Sequence, residues 1–355
     1  MALNSLLLCL VLSLSVSELE IVSVSPHGIN LSFTLAEPAP AVVFYGTDAK
    51  NLDSAWPISN RTRFHLVRLD GLEPDREYFL RVGAFNQEKP ASWLPPLKVR
   101  TLRPPPGGRL FSFAVMNDIH VGQDINSLMV LPLVPPVTPG FTWKYPVENY
   151  WSFTLRAAVD EINRTDAAFT IVNGDLTSWF LEKEFRLAKE YLDRLRMPYH
   201  VTRGNHDRQG EEPEDWFKVV FGLDPTWRVI EHGGCRFLLL DDNNPKNGLA
   251  SLPAGQLDWL ERELDARPKT PAFIISHHPW RAGSPDMRPD ERARLLEMVK
   301  RRPQVVGVIG GHSHRAAVLR LPGGGGPPFI EVPSVAEYMV GYGRFEVYAG
   351  GFTYT

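Results

Sequence analysis

The chain has 355 residues, 43% of them hydrophobic and 22% charged, with a formal net charge of -3. That length exceeds a typical single domain and the composition supports a packed core, so two domains are expected and a disordered chain is excluded. The near-neutral charge, without a basic block, gives no strong signal for a nucleic-acid partner. With only Cys9 and Cys235, a disulfide framework and a cysteine-built metal site are excluded as well.

At the start, Leu6 to Val16 is nearly all apolar or Ser. It has the length of a secretory h-region and is short for a bilayer span, although no Lys or Arg precedes it. Residues 1–17 are therefore expected to be a signal peptide or apolar leader, and the protein to be extracytoplasmic or secreted. No other segment is long and apolar enough to span a membrane. From 18 to 103 the texture is short alternating strands: Ile29–Phe33, Ala41–Tyr45, Arg63–Val67, Glu77–Val82 and Leu97–Val99. A small all-β sandwich is expected there. The run Leu72-Glu73-Pro74-Asp75-Arg76-Glu77-Tyr78 has the form of a tyrosine corner, in which the Tyr hydroxyl bonds back to upstream backbone. On that run the segment resembles a fibronectin type III domain, or the similar N-terminal domain of purple acid phosphatases, with a supporting, spacing or adhesive role.

Pro104-Pro105-Pro106-Gly107-Gly108 continues no strand ladder and marks a linker over 104–109. The texture then changes. Strands are expected at Phe111–Met116, Phe169–Val172, Tyr199–Thr202, Phe237–Leu240, Phe273–Ile275 and Val305–Ile309. Helices are expected at Tyr150–Ile162, Phe180–Leu195, Gln256–Leu264 and Asp290–Lys300. The alternation predicts an α/β layered domain over 110–355, with a strand-rich tail from Ala316 to Tyr354. Leu131 to Pro136 falls in a long irregular stretch, and Gly323 to Gly326 reads as a hairpin loop.

Five of these strands end alike. Asn117-Asp118-Ile119-His120 follows the first and Asn173-Gly174-Asp175 the second. Arg203-Gly204-Asn205-His206-Asp207, Ser276-His277-His278-Pro279 and Gly310-Gly311-His312-Ser313-His314 follow three others. In open α/β sheets ligands bind outside the carboxyl ends of strands, so the five clusters are expected at one rim. Carboxylate, amide oxygen and imidazole together suit divalent Mn, Fe, Co or Zn. Asp118 and His120 can chelate one ion, Asp175 has two oxygens with which to bridge, and His312 and His314 can reach different ions. Two such ions about 3.5–4 Å apart clamp and polarise a phosphoryl group. His206, beside the amide ligand Asn205, is placed to protonate a leaving oxygen.

Asp-x-His, Gly-Asp, Gly-Asn-His-Asp, His-x-Pro and Gly-His-x-His, in this order, resemble the five blocks of the calcineurin-like metallophosphoesterases, from about Leu110 to the C-terminus. The resemblance implies a four-layer α/β/β/α sandwich and hydrolysis of a small phosphoester. It gives Asp118, His120 and His314 to one metal and Asn205, His277 and His312 to the other. Asp175 would bridge them, and His206 would be the catalytic acid or phosphate contact. His278 and Asp207 are expected to stand behind the ligands. Purple acid phosphatases carry a metal-bound Tyr where this chain has Ser178, and lack the His found here at His120. The metal blocks are instead similar to those of cyclic-nucleotide and glycerophosphodiester phosphodiesterases.

Arg203 is a candidate phosphate contact because a guanidinium fits phosphate oxygens, and with Asn205 and His206 it completes the candidate substrate-binding set. Asp241 and Asp242 are expected in a solvated turn. Phe141, Trp143, Tyr145, Tyr150 and Trp151 are expected to pack an irregular insert, with stacking on a nucleobase or sugar as the other role. His27, His65, His200 and His232 are left outside the site, and Cys235 is expected as a small buried apolar residue. The competing functions are a phosphatase, nucleotidase or nuclease of the same fold, and a non-catalytic adhesion protein on a decayed phosphoesterase scaffold. The last of these predicts missing ligands, and every expected ligand position is filled.

Overall fold

The structure, a computed structural model, describes residues 16–84, 95–123, 149–280, 288–321, 325–337 and 340–355. All of the expected leader but Val16 and Ser17, the Leu131–Pro136 stretch, and Phe141, Trp143 and Tyr145 lie outside the described residues. The chain forms two compact units, residues 1–107 with 352–355 and residues 108–351.

The N-terminal unit is all-β among its described residues. Strands β1 (Val16–Val24), β2 (Gly28–Gly46), β3 (Ser54–Asp70), β4 (Glu77–Ala84) and β5 (Leu97–Arg100) pair antiparallel throughout. Two strands expected at Ile29–Phe33 and Ala41–Tyr45 are one 19-residue strand. Its pairing with β3 shifts register between Thr34 and Ala41, around Pro38 and Pro40, which have no N–H to give the ladder. The strands consequently join one connected sheet, because β2 carries on through the bend and pairs with β1, β3 and β4. Ile29, Leu31, Phe33 and Leu35 pack with Val67, Leu69, Tyr78 and Leu80 in the core of this unit. The Tyr78 hydroxyl oxygen accepts the Glu73 backbone N–H at 2.9 Å, the bond that a tyrosine corner makes.

The second unit holds two sheets and five α-helices among the described residues. Strands β6 (Arg109–Met116), β7 (Thr170–Asn173) and β8 (Tyr199–Thr202) are parallel neighbours, and β15 (Gly343–Tyr348) flanks β6 antiparallel. In the other sheet β10 (Cys235–Leu239), β11 (Ala272–Ile275), β12 (Val305–Gly310) and β14 (Phe329–Glu331) are parallel, with β9 (Arg228–His232) and β13 (Ala317–Leu319) antiparallel at the edges. The chain closes with β16 (Gly351–Tyr354). Helices α1 (Tyr150–Ile162), α2 (Glu182–Leu192), α4 (Ala254–Ala266) and α5 (Pro289–Lys300) fall on four expected segments. The short α3 (Trp216–Phe221) and β9 escaped sequence reading because six and five residues are too few to establish a period.

Strand alternation builds the layers. Phe113 of β6 faces Phe237 of β10 at 5.0 Å and Phe273 of β11 at 5.5 Å, so the two sheets meet through aromatic rings. Ala114 and Met116, on the other side of β6, pack with Leu155 and Val159 of α1 and with Phe185 and Leu192 of α2. Leu238 and Ile274 likewise pack with Leu257 and Leu260 of α4 and Leu295 of α5. The result is the expected α/β/β/α sandwich. Trp151 is 5% exposed and packs against β6 and α2 in this core, and Cys235 is buried in its strand.

His200 on β8 stands edge-on to Phe169, ring centroids 5.9 Å apart. Burial, with Arg228 adding to it, holds its imidazole down at about 4. The unfolded chain takes up this proton below about pH 6.5 while the fold refuses it. The stability His200 contributes is therefore present above about pH 6.5 and is lost as pH falls towards 4. In His200→Leu, the drop in urea midpoint between pH 7 and pH 5 is expected to shrink. An equal drop in both proteins would show that His200 is not among the groups driving acid unfolding.

Candidate metal centre

The strands of each sheet that carry the candidate residues run parallel, so the loops after β6, β7 and β8, and those after β11 and β12, leave from one edge of their sheet. Donor atoms of Asp118, His120 and His314 lie within 4.8 Å of one another. Those of Asp175, His277 and His312 do the same, as do those of His120, Asp175 and His206. Asn205 Oδ1 lies 3.1 Å from His277 Nε2 and 2.8 Å from His312 Nδ1. The structure thus gathers all seven expected ligand residues and His206 into one cluster, with Asp175 common to two of the groups.

The backbone is bent hard to achieve this. Eight non-glycine residues have positive φ among the described residues, and Asp118, His120, Asp175, His312 and His314 are five of them. Left-handed backbone is costly for such residues and persists where surrounding contacts enforce it, which marks functional sites. Two glycines allow the close approach. A Cβ on Gly174 would meet His277 Nδ1 at 2.4 Å, and one on Gly204 would meet the Asp175 nitrogen at 2.1 Å.

For three of the imidazoles, outer hydrogen bonds fix which nitrogen is presented. His277 Nδ1 donates to the Asn173 carbonyl at 3.0 Å, and His314 Nδ1 meets the Glu337 carboxylate at 2.8 Å, leaving Nε2 of each turned inward. His206 Nδ1 donates to the Ser178 carbonyl at 2.9 Å, and its backbone N–H goes to Asp175 Oδ1 at 2.8 Å. Asn117 donates to Asp118 Oδ2 and to the carbonyls of Val332 and Pro333, and the His312 N–H meets the same Asp118 oxygen at 3.1 Å.

The donor set fits divalent metal ions. Asp118 Oδ1 is buried and accepts no hydrogen bond among the described residues. His120 Nε2 and His314 Nε2 face each other at 3.4 Å, an arrangement that a shared cation relieves. The electrostatics also select positive charge. Burial opposes charge on His277, but Asp175, Asp118 and Asp242 overcome it and hold the imidazole up at about 10. For His314, burial is likewise overcome by Asp118 and Glu337, again to about 10. Burial pushes the Asp175 carboxyl up, and the surrounding histidines, His277 foremost, drive it well below the usual carboxylate range.

Glu337 was not legible as part of the site, because it lies 23 residues beyond His314 in no recognisable block. It is 5% exposed and also accepts from Gln123 Nε2 at 2.7 Å. Carboxylates behind a ligating imidazole orient it and raise its basicity. Glu337→Ala is expected to weaken metal binding about 10- to 100-fold, read by competition with a chelating indicator. Unchanged affinity would show that the His314 ring is held without it.

Three sequence expectations are corrected, those for Arg203, Asp241 and Asp242. Arg203 is 1% exposed, with its guanidinium bound to Asp241 at 3.0 Å and Asp215 at 2.7 Å. It faces Phe217 besides, so it is a buried strut and not a phosphate contact. Asp241 and Asp242 are not in a solvated turn. Asp242 is fully buried and accepts the backbone N–H of His277 at 3.3 Å and of His278 at 2.9 Å. Asp207 accepts the N–H groups of Leu176, Thr177 and Gly204, bracing the loops after β7 and β8 against each other. His278 lies behind the cluster, its ring 4.5 Å from that of His312.

Residues 111–316 match the family model described as calcineurin-like phosphoesterase. A probable glycerophosphodiester phosphodiesterase of Arcobacter nitrofigilis is 30% identical over 157 residues, which is 41% of this chain and 56% of that protein. A 3',5'-cyclic-nucleotide phosphodiesterase of Nostoc is 27% identical over 160 residues, 43% of this chain and 58% of its own length. The chain thus spans little more than half the length of these relatives. Among solved structures, a dimetal phosphatase from Danio rerio superposes with a TM-score of 0.53 at 15% identity, over 70% of this chain and 99% of that one. With the family model matching more than half of its length, the chain belongs to the calcineurin-like phosphoesterase family.

Proposed function

We propose that this protein hydrolyses phosphoesters, phosphodiesters foremost, at a centre of two divalent transition-metal ions. The observation that carries this reading is the pair of donor groups, Asp118–His120–His314 and Asp175–His277–His312 with Asn205, set beside an imidazole, His206, whose Nδ1 is held by the Ser178 carbonyl. The first group would hold one ion and the second the other, with Asp175 between them. Mn, Fe, Zn and Co all suit this donor chemistry. Such ions, when bound, supply Lewis acidity toward a phosphoryl oxygen and a nucleophile at neutral pH.

The protein's own groups do the remainder. Ser178 fixes the His206 ring through Nδ1, so Nε2 is the atom that, with the ring in its doubly protonated form, hands its proton to the leaving oxygen as its bond to phosphorus breaks and leaves the ring neutral. Asp242 holds the His277 loop from behind, and Asn173 sets the ring's tautomer. The names of the relatives, glycerophosphodiester and cyclic-nucleotide phosphodiesterases, support diesters over monoesters. The reading of a decayed, non-catalytic scaffold finds no missing ligand to support it. The tyrosine-corner bond and the all-β N-terminal unit support a fibronectin type III-like module ahead of the catalytic domain, and the apolar leader supports an extracytoplasmic location. Among the described residues, no helix is long and apolar enough to cross a membrane.

The test is to strip the full chain of metal, reload Mn or Zn, measure metal content, and assay bis-p-nitrophenyl phosphate beside p-nitrophenyl phosphate. Metal-dependent turnover favouring the diester is expected. Turnover of the monoester alone would move the protein to the phosphatases or nucleotidases. Loaded protein inert toward both, or protein that binds no metal, would overturn the proposal.

A further inference from the structure

We propose that Trp179 is a specificity-determining residue, a fixed aromatic platform beside His206 that stacks on a planar aromatic arm of the phosphoester. The inference rests on the hydrolytic reading above and deepens it by naming the substrate class.

The segment from Asp175 to Phe180 is held at each residue. Asp175 belongs to the metal-ligand cluster. The N–H groups of Leu176 and Thr177 go to the Asp207 carboxylate at 3.0 and 2.9 Å. Ser178 donates its hydroxyl to the His120 carbonyl at 3.1 Å and offers its own carbonyl to His206. The Trp179 N–H goes to Glu184 Oε2 at 2.9 Å, and Glu184 is itself 4% exposed. Phe180 sits at φ +51°, an outlier for a bulky aromatic residue, with its ring under the Arg208 guanidinium at 4.5 Å. Gly210 lies so close to that ring that a Cβ there would meet it at 2.8 Å. One aromatic is thereby tucked in as an anchor and its neighbour is left out.

That neighbour, Trp179, is 59% exposed, while every residue from Ile171 to Ser178 is buried. Leaving an indole in water forgoes the hydrophobic gain of burial, and the turn that displays it is strained. The fixed backbone also removes much of the ordering cost that a flexible side chain would meet on binding. Trp179 follows directly Ser178, whose carbonyl holds the His206 ring at 2.9 Å, so its backbone is one peptide bond from the hydrogen-bond partner of the group assigned to the leaving oxygen. Aromatic side chains beside phosphate sites stack on bases whatever their edge chemistry, because every base has a π-face. A nucleobase and a synthetic aryl group share that chemistry; glycerol and ethanolamine arms lack it.

The experiment compares Mn-loaded wild type, Trp179→Ala and Trp179→Phe. The substrates are a nucleoside diester (3',5'-cyclic AMP), an aryl diester (bis-p-nitrophenyl phosphate) and an aliphatic one (glycerophosphoethanolamine). In the alanine variant, kcat/KM for the nucleoside diester relative to the aliphatic one is expected to fall about tenfold, and in the phenylalanine variant less than about threefold. A fall for the aryl diester alone would assign the platform to aryl groups in place of nucleobases. A ratio within twofold of wild type for both would overturn the proposal. If wild type turns over none of these, the hydrolytic reading has failed, and binding decides the role of Trp179. Quenching of tryptophan fluorescence by AMP in wild type but not in Trp179→Phe supports the platform. Its absence in wild type, or its persistence in Trp179→Phe, overturns it.

Discussion

Asp175→Asn is expected to lower metal-dependent turnover about 10³-fold, the several kcal/mol that metal charge stabilisation contributes to a phosphoryl transition state. The substitution keeps the shape of the side chain and an oxygen for the His206 N–H, which Asp175 Oδ1 accepts at 2.8 Å. It removes one negative charge from the residue shared by two donor groups, and with it the largest attraction holding His277 charged. Metal content per chain should fall together with activity, measured on the same samples, while the circular dichroism spectrum of the metal-free protein stays that of wild type. A variant that keeps both ions and more than a tenth of the activity would show that Asp175 is not the bridging ligand.

His206→Ala is expected to lower kcat by about 10²- to 10⁴-fold for diesters with alkoxide leaving groups, the usual range for loss of a general acid. For p-nitrophenyl esters the loss should be far smaller, because p-nitrophenolate is a stable anion and departs without a proton. Metal content should be unchanged, because the ring is fixed by the Ser178 carbonyl and the backbone N–H toward Asp175 remains in the variant. Equal losses with both leaving groups would mean that His206 contacts the phosphoryl group without donating a proton. Loss of metal would place it among the ligands, next to His120 and Asp175, with which it shares a donor group.

The sequence by itself determined the layers of the second unit and the residues that the fold gathers into one cluster, and for physical reasons. Buried parallel strands read as apolar runs, and five of them were followed by Asp, Asn or His, three times beside glycine, so their order could be traced without a fold. Gly174 and Gly204 stand in the sequence because Asp175 and His277 come too close to admit a Cβ. The tertiary structure alone decided what stands behind those ligands. Asp242 and His277 are 35 residues apart, and His314 and Glu337 are 23 apart, so no local pattern joins them. Asp241 and Asp242, read locally, look like a polar turn; only the packing of β10 beside β11 turns them into buried acceptors. Arg203 looked like a phosphate contact by its place in a ligand block, and the fold directs its guanidinium away to Asp215 and Asp241. Trp179 carried no signal in sequence, since one aromatic after Gly-Asp is as compatible with a core as with a surface. Its exposure follows from the left-handed turn at Phe180 and the carboxylates that pin the loop, which are properties of the folded chain alone.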